Sequence, residues 1–216
     1  TNDGTFTFES ERFSENCHSV AGAYEETIYN YVKGTQLINK YDLPEINIFE
    51  VGFGLGLGPI ATFKFLEDYP GVLNFYSSEL DETLVQWFRE NVNQEAKNIF
   101  GFHQLEKTYY PDQIESYVYQ EGRRRLEVFT GDLNKTKSKL LHKVKGIHAI
   151  YQDPFSPSKN PLLWTTEWFK FLKTISHPQV ILSTYSASHS VQRNLTSAGW
   201  ILAIAPGFAH KRSSTR

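Results

Sequence analysis

One cysteine, Cys17, stands among 216 residues, so an internal disulfide framework is excluded, and the seven histidines are scattered with no Cys/His spacing of a zinc site. Methionine is missing altogether, the first position included, which points to a processed or trimmed start. Charge of either sign is in short supply as a net quantity: the formal balance is −2, the wrong sign for a domain that coats nucleic acid by bulk charge, although a local basic face is compatible with it. No apolar run is long enough to span a bilayer and no signal-peptide pattern opens the chain, so a reducing cytoplasm is the expected compartment. Internal repeats and low-complexity segments are also missing. Aromatic residues are abundant, with 16 Phe, 12 Tyr and 4 Trp in a chain that is 40% hydrophobic. That content and length fit one globular, enzyme-like domain with an aromatic-rich core: an N-terminal extension or lid over residues 1–44 and a core over 45–216.

Everything in the core is arranged around Ile46-Asn47-Ile48-Phe49-Glu50-Val51-Gly52-Phe53-Gly54-Leu55-Gly56-Leu57-Gly58-Pro59. An apolar run ends in an acid, passes four alternate glycines and enters a helical pattern, the strand, tight turn and helix start of a nucleotide-type fold. Before it, residues 1–20 alternate polar and aromatic side chains as a hairpin would, and Ala23–Val32 reads as a helix closed by Gly34. After it, strands are expected at Val72–Glu79, Arg125–Thr130, Ile147–Gln152 and Val180–Tyr185. Helices are expected at Pro59–Asp68, Asp81–Asn91, Ile114–Tyr119, Lys135–Lys145, Thr165–Ile175 and Ser190–Ala198. Two short strands, Trp200–Ala205 and His210–Arg216, finish the chain. The alternation specifies an α/β fold with a largely parallel sheet.

In open parallel sheets the ligand lies beyond the carboxyl ends of the strands. Those ends carry Glu50, Glu79, Asp132 and Asp153, four carboxylates on one rim. Acids there repel a phosphate-rich ligand and attract one that offers hydroxyls, an exocyclic amine, an ammonium and a sulfonium. S-adenosylmethionine is such a ligand: Glu79 suits its ribose hydroxyls, Asp132 its adenine amine, and Glu50 or Asp153 its cationic end. Singly, each sign has another meaning. Glycine turns of this kind serve NAD, FAD and S-adenosylmethionine alike, Glu79 fits a dinucleotide ribose equally well, Asp132 could cap a helix, and Asp153 could open a turn. Their joint occurrence favours the cationic cofactor.

A second stretch, Asp153-Pro154-Phe155-Ser156-Pro157-Ser158-Lys159-Asn160-Pro161-Leu162-Leu163-Trp164, holds Asp153 and Phe155 on a loop stiffened by three prolines. Phe155 and Tyr185, with Tyr29 or Tyr31, are candidates for stacking a flipped-out base, and equally candidates for the core. Arg123-Arg124-Arg125, the lysines of 135–145, Lys159, Lys211, Arg212 and Arg216 are candidates for following a phosphate backbone.

With these residues in view the chain resembles the methyltransferase domain of the MnmC-type enzymes, which complete 5-methylaminomethyl-2-thiouridine at the tRNA wobble position. The likeness runs through Glu50–Leu57, Asp153–Pro161 with Trp164, Thr184-Tyr185-Ser186, Arg193, Ala198-Gly199-Trp200 and Pro206–Arg212. In front it includes Asp3-Gly4-Thr5, His18-Ser19, Gly22-Ala23, Glu26-Thr27 and Gly34. Gly58 stands where that family usually has a polar residue, and Leu80 where it commonly has Lys.

The resemblance implies a class I S-adenosylmethionine-dependent fold, a Rossmann-like seven-stranded sheet with the last strand antiparallel. It implies Asp153 as the catalytic residue beside the reacting amine, and cofactor contacts from Glu50, Gly52, Phe53, Gly54, Gly56, Glu79, Asp132 and Asp153. Substrate contacts fall to Phe155, Lys159, Tyr185, Lys211 and Arg212. The expected partner is the anticodon arm of tRNA, with no metal and no membrane. Bifunctional members carry a flavin-dependent oxidase domain; no such domain is in this chain, so a standalone form that only methylates is expected. Two other functions remain open at this stage: methylation of another RNA position or a small-molecule amine, and a non-catalytic RNA- or nucleotide-binding relative.

Overall fold

The computed structural model describes residues 1–2, 4–17, 22–91, 100–209 and 213–216. A seven-stranded sheet runs in the order β5-β6-β7-β4-β3-β8-β9. Its strands are β3 (Glu45–Val51), β4 (Val72–Glu79), β5 (Glu106–Tyr109), β6 (Glu115–Glu121), β7 (Arg124–Thr130), β8 (Ile147–Gln152) and β9 (Ser176–Ser183). The pairs β7–β4, β4–β3, β3–β8 and β8–β9 are parallel, whereas β5–β6 and β6–β7 are antiparallel. Alternation along β3 sends Ile46 and Ile48 to one face, and Phe49 and Val51 to the other, and all four are fully buried. The first face is covered by α2 (Leu57–Phe65) and α3 (Glu82–Asn91) together with Tyr31, Val32 and Leu37. The second is covered by α4 (Leu133–Leu140), α5 (Thr166–Thr174) and α6 (His189–Ser197).

Burial on both faces explains why β3 and β8 read as near-continuous apolar runs. Caps set the helix starts: the side chains of Asp132, Thr165 and Ser188 accept from the backbone N–H of Asn134, Trp168 and Val191.

Four expectations need correction. Ile114–Tyr119 is not a helix: Glu115–Glu121 forms β6, because Ser116, Tyr117 and Tyr119 are buried between β5 and β7, and aromatic and β-branched residues suit a pleated surface better than a helix. The last strand of the seven is not the antiparallel one. β9 is parallel to β8, and the antiparallel strand is β6. The chain's final strand, β11 (Ser213–Thr215), pairs with β10 (Ile204–Pro206) in a separate two-stranded sheet and reaches the large sheet through one antiparallel bridge, Thr184 to Thr215. Finally, the front helix is α1 (Ala23–Thr27) continued by a wide-turn π segment, Ile28–Lys33, and Gly34 at its end has ordinary helical angles, φ −60°. A side chain at Gly34 would meet Ser183 Oγ at 2.6 Å and Arg216 Nε at 2.8 Å, so this glycine serves close packing and not a left-handed cap.

The first twenty residues form the expected hairpin where described, with β1 (Glu9–Ser10) paired to β2 (Glu15–Asn16).

Candidate active site

The carboxyl ends of β3, β4, β7 and β8 open into a cavity of about 340 Å³. Glu50, Glu79, Asp132 and Asp153 all line it, as do Gly52, Phe53, Gly54 and Gly131. The four strand-end acids thus share one rim.

Each acid is held in a particular way. Glu50 is buried, and Ser77 Oγ, its register partner on β4, donates to Glu50 Oε2 at 2.6 Å. Burial pushes the Glu50 carboxyl well above its ordinary range; the Ser77 bond opposes this, and Asp153 and Glu79 push it further up. Its side chain tucks beneath the start of α2, where a Cβ on Gly58 would collide with Glu50 Oε1. A residue with a side chain could not stand at Gly58 unless Glu50 moved.

Glu79 accepts from the Gly54 N–H at 2.9 Å through Oε2 and from the Asp81 N–H at 3.0 Å through Oε1. The carboxylate keeps acceptor capacity beyond these backbone donors, which suits a ligand hydroxyl. Burial raises the Glu79 pKa, and the backbone bonds from Asp81, Gly54 and Leu80 oppose it. Asp132 makes the cap that its sequence position allowed: Oδ1 accepts from the Asn134 N–H at 3.0 Å and from Asn134 Nδ2 at 3.3 Å. The cap engages one oxygen of a carboxylate that also faces the cavity.

The glycine turn is joined directly to the Asp153 loop. Gly52 has φ 95°, its N–H donates to Ser78 O, and a Cβ there would lie 2.6 Å from the Asp153 carbonyl oxygen. Both the left-handed angle and the close approach require glycine. Phe53 is buried edge-on against Phe88, with ring centroids 5.0 Å apart, and Gly56, at φ 75°, begins α2.

Asp153 stands at the end of β8, where its N–H donates to Val51 O at 3.0 Å. The Tyr31 hydroxyl, from the π segment, donates to Asp153 Oδ1. The proline loop is pinned at several points beyond it. Tyr185 Oη donates to Pro154 O at 2.9 Å, Trp164 Nε1 donates to Phe155 O at 3.0 Å, and buried Gln152 donates to Leu163 O at 2.7 Å while accepting from Trp168 Nε1 at 3.1 Å. The N-terminal hairpin presses on the loop from outside: Phe13 stacks on Phe155 at 4.4 Å, and Glu15 accepts from both the N–H and the hydroxyl of Ser156. Phe8, Arg12, Phe13 and Cys17 add to the cavity wall from that side. Burial, then the negative field of Asp153, Glu79 and Glu50, raises the Cys17 thiol pKa.

Of the proposed substrate residues, Phe155 and Lys159 line the cavity. Tyr185 lies behind the loop, its hydroxyl on Pro154 and its ring 5.9 Å from Trp164, and it braces the loop. Lys211 and Arg212 lie outside the described residues. The arginine triplet sits at the opposite end of the sheet: Arg123 and Arg124 donate to the carbonyls of Pro70, Leu66, Glu67, Tyr69 and Gly71, and Arg125 pairs with Glu127 at 2.6 Å. The Arg123 and Arg124 guanidiniums finish the end of α2 and the turn into β4.

Sequence reading missed Ser77, Gln152, Phe13 and Glu15, and it named Tyr31 only as a stacking candidate. Ser77 and Gln152 were legible in principle as polar residues inside buried strands, which need partners. The hairpin contacts join residues more than a hundred positions apart and leave no local signal.

The residues fit S-adenosylmethionine on their own chemistry. Buried Glu50 and the partly buried Glu79, Asp132 and Asp153 surround a space of ligand size, with carboxylate acceptors placed for hydroxyls and a glycine turn that admits close contact. Among the described residues no group of three His, Cys, Asp or Glu is arranged to hold a metal ion, and no helix is long and apolar enough to cross a membrane.

Known proteins agree with this chemistry. Over 213 residues the chain is 28% identical to the tRNA 5-methylaminomethyl-2-thiouridine biosynthesis bifunctional protein MnmC of Leptospira interrogans, covering 94% of this chain and 32% of that protein. The protein of the same description from Idiomarina loihiensis is 31% identical over 214 residues, again 94% of this chain and 35% of the relative. The chain thus spans about a third of the length of the curated relatives it matches. The crystal structure of MNMC2 from Aquifex aeolicus superposes with a TM-score of 0.77 at 25% identity, covering all of this chain and 67% of that one. A family model described as S-adenosyl-L-methionine-dependent methyltransferase matches residues 94–216, more than half of the sequence. The chain accordingly belongs to this family, as a methyltransferase of MnmC type that uses S-adenosylmethionine.

Proposed function

We propose that the protein transfers a methyl group to the 5-aminomethyl substituent of the wobble 2-thiouridine of tRNA, giving 5-methylaminomethyl. The observation that carries this reading is Asp153: a carboxylate on a proline-stiffened loop, opening into the same cavity as Glu50 and Glu79. The names of the relatives, which concern 5-methylaminomethyl-2-thiouridine biosynthesis in tRNA, support the same substrate.

The bound cofactor supplies an electrophilic methyl on a sulfonium. Glu79 takes the ribose hydroxyls, Asp132 the adenine amine, Glu50 the cationic end, and Gly52, Phe53, Gly54 and Gly56 give backbone close contact. In-line displacement needs a neutral amine held against the methyl carbon. Asp153 accepts an N–H of that amine, aims its lone pair and passes the lost proton toward solvent. Phe155 contacts the base, and Lys159 with Lys211 and Arg212 meets the phosphates. Residues 1–44 act as the lid of a core formed by 45–216, since Phe13 and Glu15 rest on the proline loop and Phe8, Arg12 and Cys17 wall the cavity.

Incubation with methyl-labelled S-adenosylmethionine tests the substrate. Label should enter tRNA bearing 5-aminomethyl-2-thiouridine and not the same tRNA with unmodified uridine. Label that enters small amines at a comparable rate, or no RNA at all, contradicts the reading.

A further inference from the structure

We infer that Tyr31 is a positioning residue for methyl transfer, fixing the Asp153 carboxylate through its phenol so that the reacting amine meets an acceptor of set orientation. This rests on the role given to Asp153 above.

The geometry is specific. Tyr31 is 3% exposed, yet it lines the cavity, and its hydroxyl donates to Asp153 Oδ1. Its ring stacks on Tyr151 at 5.3 Å with an interplanar angle of 28°, and Tyr151 is held through its hydroxyl by Thr62 at 2.9 Å. Its own carbonyl accepts from Thr35 Oγ at 2.7 Å. The phenol can hardly reorient, so the carboxylate it grips is immobilised as well.

Tyr31 also sits in the π segment Ile28–Lys33, a wide turn of a kind that recurs at functional sites. Here it carries a helical side chain into the rim that the sheet builds from elsewhere.

A donor is required at this position, and Tyr31 remains one. Burial, followed by the adjacent Asp153, raises its pKa well above the usual phenol value, so it stays protonated and is unsuited to serve as a base. Around the pair stand Glu50 from β3, Glu79 from β4, Glu26 from α1, Tyr185 after β9 and Cys17 from the N-terminal segment, and Arg12 and Lys159 line the same cavity. The hydrogen bond from the phenol favours the ionised form of Asp153 and fixes one of its oxygens. On the role given to Asp153 the amine proton leaves by way of its carboxylate, while Tyr31 sets where its acceptor oxygens point.

Tyr31→Phe removes one oxygen and keeps the stacked ring. Calorimetry of wild type, Tyr31→Phe, Asp153→Asn and the double variant would use two probes. S-adenosylhomocysteine has no group at the methyl position; sinefungin carries an amine there. We expect Tyr31→Phe to bind S-adenosylhomocysteine within about twofold of wild type and sinefungin about tenfold more weakly. With aminomethylated tRNA, kcat should fall about tenfold or more while KM holds, and the double variant should be no worse than Asp153→Asn alone.

Normal sinefungin affinity and normal kcat in Tyr31→Phe, with Asp153→Asn impaired in both, would overturn the inference and leave the Asp153 role standing. An Asp153→Asn protein indistinguishable from wild type would overturn both. Additive losses in the double variant would make Tyr31 a packing residue and also overturn the inference. Failure of wild type to methylate this tRNA would remove only the substrate assignment, since the two-probe comparison still decides the role of Tyr31.

Discussion

Glu50 shows most clearly how burial becomes function. Its folded-state pKa is raised, so in the unligated protein it holds a proton that the unfolded chain has already lost above the ordinary glutamate range. Stability contributed by this group is present below that range and is lost as pH rises toward the folded value. A cation in the cavity reverses the balance by favouring the ionised form. On the assignment made here, S-adenosylmethionine binding takes up no proton and releases one, and its affinity increases with pH over the window above the ordinary glutamate value. Calorimetry in buffers of different ionisation enthalpy measures that release directly, and Glu50→Gln should abolish it. Gly58 belongs to the same account. Because a Cβ there collides with Glu50 Oε1, Gly58→Ala should displace the carboxylate, break the Ser77 bond and weaken cofactor binding by roughly tenfold, at a stability cost of about 1–3 kcal/mol. An unchanged affinity in that variant would mean that Glu50 does not touch the cofactor.

The element that matters most is the proline loop, and its rigidity comes from its neighbours as much as from its prolines. Tyr185, Trp164 and Gln152 hold its carbonyls from behind, while Phe13 and Glu15 press from in front. Tyr185→Phe separates two roles. If Tyr185 braces the loop through its hydroxyl, the variant should lose about 0.5–1.5 kcal/mol of stability in a denaturant titration and show a higher KM for tRNA, with cofactor affinity intact. A base-stacking residue would tolerate the change without loss. The loop's importance was legible in the sequence because three prolines are costly in a mere connector. The identity of its supports was not, since Tyr185, Gln152 and Phe13 are brought to it from β9, β8 and the distant hairpin. The same limit explains β6. Its Ser116-Tyr117-Val118-Tyr119 run has few polar positions, short windows of that kind fit either period, and the choice was made by its pairing with β7.

For the molecule as a whole, β3 and β8 were readable because their residues are apolar on both faces, and the four acids were readable because each stands at the carboxyl end of a strand. What could not be read was which basic residues share the rim. Arg123, Arg124 and Arg125 are adjacent in sequence and strongly charged, yet the start of β7 lies at the far end of the sheet from the cavity. Lys159 is on the rim. Lys159→Glu should therefore weaken tRNA binding and reduce its dependence on salt, with cofactor affinity unchanged, as filter binding across a salt series would register. The reaction itself is tested most directly by single-turnover methyl transfer to tRNA carrying 5-aminomethyl-2-thiouridine at saturating S-adenosylmethionine, with the nucleosides separated afterwards. The account predicts one methyl on the aminomethyl nitrogen by wild type and a rate about a hundredfold lower for Asp153→Ala. Label on any other nucleoside, or an Asp153→Ala protein as fast as wild type, would contradict it.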